Sequence, residues 1–211
     1  MTVARVRVGE RIALGEGAGF VAWGRVVTAE PGELAMEVDE VRHDPEPAPP
    51  IRLAQGLAKG DRDELAVQAA TELGVSGVIP WAAERSITRW EGAKVAKGEE
   101  RWRAIVREAS KQAIRSRVPE VGALSTTKQL IAGGGRMLVL EPAASLALTA
   151  VELDDRPITL VVGPEGGISP RELELFDQAG GTRVRLGREV LRTSSAGPAA
   201  LAVLNARLGR W

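Results

Sequence analysis

Residues Leu160 to Glu172, Leu-Val-Val-Gly-Pro-Glu-Gly-Gly-Ile-Ser-Pro-Arg-Glu, restrict the fold more than any other stretch of this chain. An apolar run enters a turn holding Gly163, Gly166 and Gly167, and the turn feeds a helix with a marked start. Ser169 reads as the N-cap, Pro170 as the first helical residue, and Glu172 as the side chain that reaches back to close a capping box. Such a junction sets backbone N–H groups at the end of a strand beside a helix N-terminus, a place where polar or anionic ligands are held. The glycines invite close approach by another group. Glu165, standing among them, would repel a phosphate; it suits a neutral or cationic ligand, or a tie to a neighbouring loop.

A second unusual segment follows, Leu186-Gly187-Arg188-Glu189-Val190-Leu191-Arg192-Thr193. It brings a guanidinium and a hydroxyl to the start of the last expected helix. Arg192 there could bind a C-terminal carboxylate or a backbone carbonyl; beside a pocket, it would orient a planar polar substrate or stabilise developing negative charge. Other chemistries are poorly served. The chain has no cysteine and one histidine, His43, which reads as a solvated loop residue. Thiolate metal sites and a Ser-His-Asp triad are therefore not expected. No apolar run reaches membrane-spanning length, and the reading is a cytoplasmic protein. Net charge is zero but unevenly spread: ten Lys/Arg face four Asp/Glu between Arg85 and Arg117, whereas residues 1–60 carry seven basic and nine acidic side chains. The central segment is the one suited to nucleic acid; on charge alone, a solvated helix face explains it equally well.

Short alternating runs, Val3–Val8, Arg11–Leu14, Val21–Val27 and Leu34–Val41, separated by glycine-bearing turns, predict a small all-β domain over residues 1–44. The proline-rich segment 45–50 reads as a linker. From residue 51 to 211 the rhythm becomes strand, helix, strand. Strands are expected at Ile51–Leu57, Val75–Pro80, Met137–Leu140, Ile158–Val162 and Arg183–Leu186. Helices are expected from a cap at Asp61 to Leu73, at Glu99–Ile114, at Pro170–Ala179 and at about Ala199–Leu208. This α/β alternation predicts a mainly parallel sheet with helices on both faces.

The two loops, taken with Leu140-Glu141-Pro142, Glu72-Leu73-Gly74-Val75 and Arg115-Ser116-Arg117-Val118-Pro119-Glu120, resemble the RsmE-type 16S ribosomal RNA methyltransferases of the SPOUT superfamily. The resemblance spans about residues 50–211. It implies a trefoil-knotted C-terminal domain preceded by a PUA-like β-barrel, a homodimer, and methylation of uridine N3 in small-subunit 16S ribosomal RNA. It implies S-adenosylmethionine as cofactor, held by Leu140, Glu141 and Pro142, by Gly163, Pro164, Gly166, Gly167 and Ile168, and by Leu186, Gly187, Val190, Leu191 and Thr193. Arg192 would orient the base or stabilise its charge, with Glu165 a further participant, and no metal is needed. Arg85, Arg89, Lys111, Gln112, Arg115 and Arg117 would meet RNA.

The chain departs from that pattern in places. Aligned on Val6-Arg7-Val8-Gly9-Glu10, it is expected to lack one or two strands of the barrel, which puts the barrel's share of RNA affinity in doubt. Ala69 stands where many relatives have lysine, and Ser194 where glutamate is common. Gly197-Pro198 suggests a last helix that begins late, at Pro198. Two other readings stay open: an RNA-binding protein that keeps the fold without turnover, and a methyltransferase of this fold acting on another nucleotide. A nicotinamide dehydrogenase is disfavoured, because no G-x-G-x-x-G follows the first α/β strand.

Overall fold

The computed structural model describes residues 6–211. They form two compact units: residues 6–46 with Ile114–Val118, and Pro47–Ala113 with Pro119–Trp211.

The first unit is a three-stranded antiparallel sheet, β1 (Arg11–Gly15), β2 (Phe20–Glu30) and β3 (Glu33–His43), in that order. Pro31-Gly32, with Gly32 at φ 91°, closes the β2–β3 hairpin. Gly24 is required by crowding, since a Cβ there would stand 2.1 Å from the Glu37 carbonyl oxygen. Of the expected strand Val3–Val8, residues 3–5 lie outside the described residues. Residues 6–8 are not strand: the Arg7 amide donates to Glu10 Oε2 at 3.0 Å, and Gly9 turns the chain at φ 90°. Segment 114–118 joins this unit through Val118 N–H to Gly17 O (2.8 Å) and Gly19 N–H to Ser116 O (3.1 Å). Ile114 enters it at φ 53°, a left-handed conformation that a β-branched residue rarely holds.

The second unit is a six-stranded parallel sheet, ordered β6-β5-β4-β8-β7-β9. Its strands are β4 (Ile51–Gly56), β5 (Gly77–Trp81), β6 (Glu120–Val121), β7 (Arg136–Leu140), β8 (Ile158–Val162) and β9 (Thr182–Val184). Alternation along the strands divides the core in two. Ile51, Leu53, Leu138, Leu160 and Val162 pack with α1 (Arg62–Glu72), α2 (Ala93–Gln112) and α5 (Thr193–Arg207). Ala54, Met137, Val139 and Val161 pack with α3 (Thr127–Ala132) and α4 (Pro170–Gln178). Both faces are therefore covered by helices, as the near-continuous apolar strands require.

Three expectations are corrected. The last helix begins at Thr193, and Pro198 lies inside it. The ring leaves the Ser194 carbonyl without its helical donor, but Gly197 lets α5 lie tight on β4: a Cβ there would stand 2.9 Å from Leu53 Cδ1. Helix α2 starts at Ala93, since Gly98 sits against the face of Trp90, which stacks edge-on with the buried Trp102. Asp61 occupies the N-cap of α1 but makes no side-chain cap. Asp63 instead accepts from Ala58 N–H at 3.2 Å and Glu64 N–H at 2.9 Å.

Candidate active site

In a parallel sheet the loops that follow the strands gather at one edge, and ligands bind outside the carboxyl ends. Here the ends of β7, β8 and β9 deliver residues 140–142, 162–168 and 184–193 to one cavity of about 420 Å³. That is within the range of small-molecule sites. The walls are largely apolar (Leu140, Val162, Ile168, Leu186, Leu191), with Arg62, Glu141, Glu165, Arg185, Glu189, Arg192 and Thr193 as the polar groups.

The glycine-rich wall is built tightly. A Cβ on Gly163 would stand 2.9 Å from Ile168 Cγ1, and Gly167 turns at φ 71°. Behind it, Gly56 at the end of β4 abuts the turn, where a Cβ would be 2.8 Å from Pro164 N. Arg85 braces the outside, donating to the Gly166 carbonyl at 3.1 Å. The expected capping box is present at Ser169 and Glu172. It extends into a buried network, because Glu172 Oε1 also accepts from Glu84 N–H (2.9 Å) and Thr127 Oγ1 (2.9 Å). Thr127 in turn accepts from Trp81 Nε1 at 3.2 Å.

Glu165 is a tie between loops. Its Oε1 accepts from Arg62 Nη1 at 2.7 Å and from Lys59 N–H at 3.0 Å, which clips the β4–α1 loop to the cavity wall. Burial opposes its ionisation. Hydrogen bonds from its own amide, from Arg62 and from Lys59 outweigh that and hold the carboxyl below the usual range. In the first turn of α1, burial pushes the Asp63 carboxyl up to about 6, against the two amides that favour its charged form.

Arg192 is the N-cap residue of α5. Among the described residues its exposed guanidinium forms no ion pair or side-chain hydrogen bond, although it lines the cavity. A cation at a helix N-terminus is on the unfavourable side of the dipole, so this end of the cavity is electropositive. Thr193, next to it, is buried and fully engaged: Oγ1 donates to Gly163 O at 2.7 Å and accepts from Gln55 Nε2 at 2.8 Å. Gln55 is 0% exposed; its Nε2 also donates to Gly56 O at 3.1 Å, and its Oε1 has no protein partner. The opposite lip, residues 187–191, is exposed and makes no backbone hydrogen bond among the described residues.

All residues assigned to the two loops and to 140–142 line the cavity except Gly166, which faces Arg85. Of the six assigned to RNA, Arg85 and Arg89 hold the carbonyls of Gly166 and Glu84. Lys111 pairs with Glu108 at 2.7 Å, and Gln112 is exposed at the end of α2. Arg115 and Arg117 belong to the first unit. Gln55, Gly56 and Arg62 were not anticipated; an amide near the end of a strand was the only signal for the first. Among the described residues no cluster of His, Cys, Asp and Glu could hold a metal ion, and no helix is long and apolar enough to cross a membrane.

The RNA methyltransferase domain family matches residues 44–205. Ribosomal RNA small subunit methyltransferase E of Mycobacterium tuberculosis is 41% identical over 218 residues, covering 100% of this chain and 83% of that protein. The crystal structure of a ribosomal RNA small subunit methyltransferase E from Neisseria gonorrhoeae bound to S-adenosylmethionine superposes with a TM-score of 0.87. It is 29% identical, with 96% of this chain and 85% of that one covered. A methyltransferase from Legionella pneumophila, in complex with the same cofactor, also scores 0.87, at 30% identity over 98% and 86% of the two chains. Fold, cavity and similarity agree: the chain belongs to the RNA methyltransferase domain family, as a protein of the ribosomal RNA small subunit methyltransferase E type.

Proposed function

We propose that this protein transfers a methyl group from S-adenosylmethionine to N3 of a uridine in 16S ribosomal RNA. The observation that carries the reading is the uncommitted Arg192 guanidinium on the wall of a largely apolar, glycine-lined cavity. The cavity suits the cofactor in size and lining: Leu140, Val162, Ile168, Leu186 and Leu191 offer apolar surface to a nucleoside, and Glu141 and Glu189 offer charge to its cationic groups. When bound, S-adenosylmethionine supplies an electrophilic methyl group on a sulfonium that leaves as a neutral thioether. Uridine N3 gains the methyl group and gives up its proton to solvent. Negative charge spread over the uracil during that loss is what Arg192, at the electropositive end of the cavity, stabilises. Positioning supplies much of the remaining acceleration.

Within this reading Glu165 is a positioning residue. It holds Arg62 and the β4–α1 loop against the glycine turn, and its lowered affinity for protons makes it a weak base. Arg85 and Arg89 would meet RNA beside the cavity, Lys111 and Gln112 at the end of α2, and Arg115 and Arg117 from the first unit. Of the finer fold reading, the trefoil knot is supported by the return of α5 onto β4 and α1 after β9 has been added at the sheet edge, and the PUA-like barrel by the antiparallel sheet β1-β2-β3. A cytoplasmic homodimer completes the proposal; exposed Val190 at the cavity lip and Trp211 at the C-terminus support it as surface for a second copy.

The test is transfer of labelled methyl from the cofactor to small subunits that lack the modification, followed by mapping of the methylated base. Arg192→Ala should lower kcat by about a hundredfold or more, with cofactor affinity nearly unchanged. Equal losses in both would make Arg192 a pocket-shaping residue.

A further inference from the structure

We propose that Phe20, His43 and Arg117 of the first unit form a stacking platform for one unpaired base of single-stranded RNA. The inference rests on the RNA substrate proposed above and places a separate contact on a different unit.

Phe20 and His43 are direct cross-strand partners at the end of the β2–β3 ladder. Their ring centroids lie 4.4 Å apart, tilted at 42°. Both are exposed, Phe20 by 50%. Side chains two residues on along each strand share the same face, which adds Ala22 and Val41, and the β1 partner of Ala22 adds Leu14. Val41 and Leu14 are 64% and 46% exposed, so the rings rise from an open apolar floor.

Arg117 is built into this face. Its Nε donates to Asp44 O at 2.9 Å, and Nη2 approaches His43 Nε2 at 3.2 Å. A guanidinium only donates, so this contact makes His43 Nε2 the acceptor. Gly19, at φ 110°, leaves the space that the guanidinium fills, since a Cβ there would stand 2.6 Å from Nη2. Among the described residues the partners of the guanidinium are a carbonyl and a ring nitrogen, so no carboxylate there neutralises it. The nearby Asp44 carboxylate is taken by Arg42 at 2.7 Å.

An exposed phenyl ring, an exposed imidazole and an uncompensated guanidinium on an apolar sheet face are the groups on which unstacked bases settle. Across residues 6–46 and 114–118, nine acidic side chains stand against six basic ones. This unit therefore has little to offer phosphates, and its contribution is ring surface.

The test uses the full chain and a fluorescein-labelled uridine octamer, with binding read by anisotropy across a salt series. Phe20→Ala should weaken binding about tenfold, as loss of one base–aromatic stack does, and leave the slope of log affinity against log salt unchanged, because no phosphate contact is lost. Phe20→Trp should keep the affinity, and its added emission should fall as the octamer binds; this variant decides the matter if the alanine variant does not fold. Wild-type affinity in Phe20→Ala, or unquenched emission in Phe20→Trp, overturns the proposal. So does an added emission that changes with protein concentration alone, because a second copy would then cover the face. Methyl transfer to small subunits, measured on the same preparations, decides the enzymatic reading independently.

Discussion

Thr193→Val keeps the volume of a buried side chain and deletes one hydroxyl, so its effect measures the tie between α5 and the glycine turn. The hydroxyl makes two short hydrogen bonds, to Gly163 O at 2.7 Å and from Gln55 Nε2 at 2.8 Å. The orientation of Gln55 is fixed by this network, because the Thr193 proton is spent on Gly163 and Gly56 O also needs a donor. At about 1 kcal/mol net for each bond, the valine variant should lose about 2 kcal/mol. Gln55→Met should be milder although it removes two bonds, since it also removes an acceptor, Oε1, that is buried without a protein partner. Burying such a group costs about 1–3 kcal/mol, which offsets the loss. The double variant should fall short of the sum of the singles by about 1 kcal/mol, as expected for groups in contact. Urea unfolding followed by the buried Trp81 and Trp102 reports on this unit, and Thr193→Ser should restore most of the stability. The reasoning is refuted if Thr193→Val unfolds within 0.5 kcal/mol of wild type, a margin of about the usual additivity error, or if Gln55→Met proves the more damaging.

Gly56→Ala should displace Pro164 and weaken cofactor binding while costing about 1–3 kcal/mol, because the clash at 2.8 Å is with backbone; calorimetry with S-adenosylmethionine checks this. Asp63 gives a pH signature. Its carboxyl titrates near 6 in the folded chain against 3.8 for an unperturbed group, so the native state binds the proton more tightly. The stability it contributes is complete below about pH 4 and is lost as pH rises through about 6, on the order of 3 kcal/mol. Asp63→Asn should flatten unfolding curves across that window. Glu165→Gln should cost at most about 1 kcal/mol in stability, because its pair with Arg62 is partly solvated, yet raise KM for the cofactor; a collapse of kcat at unchanged KM would give Glu165 a chemical role.

The sequence carried the elements that have local signatures. Ile158–Val162 coincides with β8, and the Ser169–Glu172 box starts α4 where the residues predict. Helix α3 was missed, although Thr126 and Gln129 form a capping box, because six residues are too few to show a helical period. Pro198 misplaced the start of α5, since its usual position is the first turn, whereas here the demand for close contact at Gly197 dominates. The two loops and Arg192 were legible from their residues, and the resemblance set the loops around one cofactor; that Arg62 joins them was not legible. Gln55 and Gly56 read as the unremarkable end of a strand, because their partners lie more than a hundred positions away along the chain.

The two jaws of the cavity differ in how they are anchored. One is pinned at Gly163 by Thr193, at Gly166 by Arg85 and at Glu165 by Arg62, so it presents the same surface whether or not a molecule is present. The other, residues 187–191, has no backbone hydrogen bond among the described residues to hold it. An occupant therefore meets one preset surface and must order the other around itself. Residence time is then governed by the unpinned jaw, and substitutions at Val190 or Leu191 should alter the dissociation rate while leaving the rigid wall untouched.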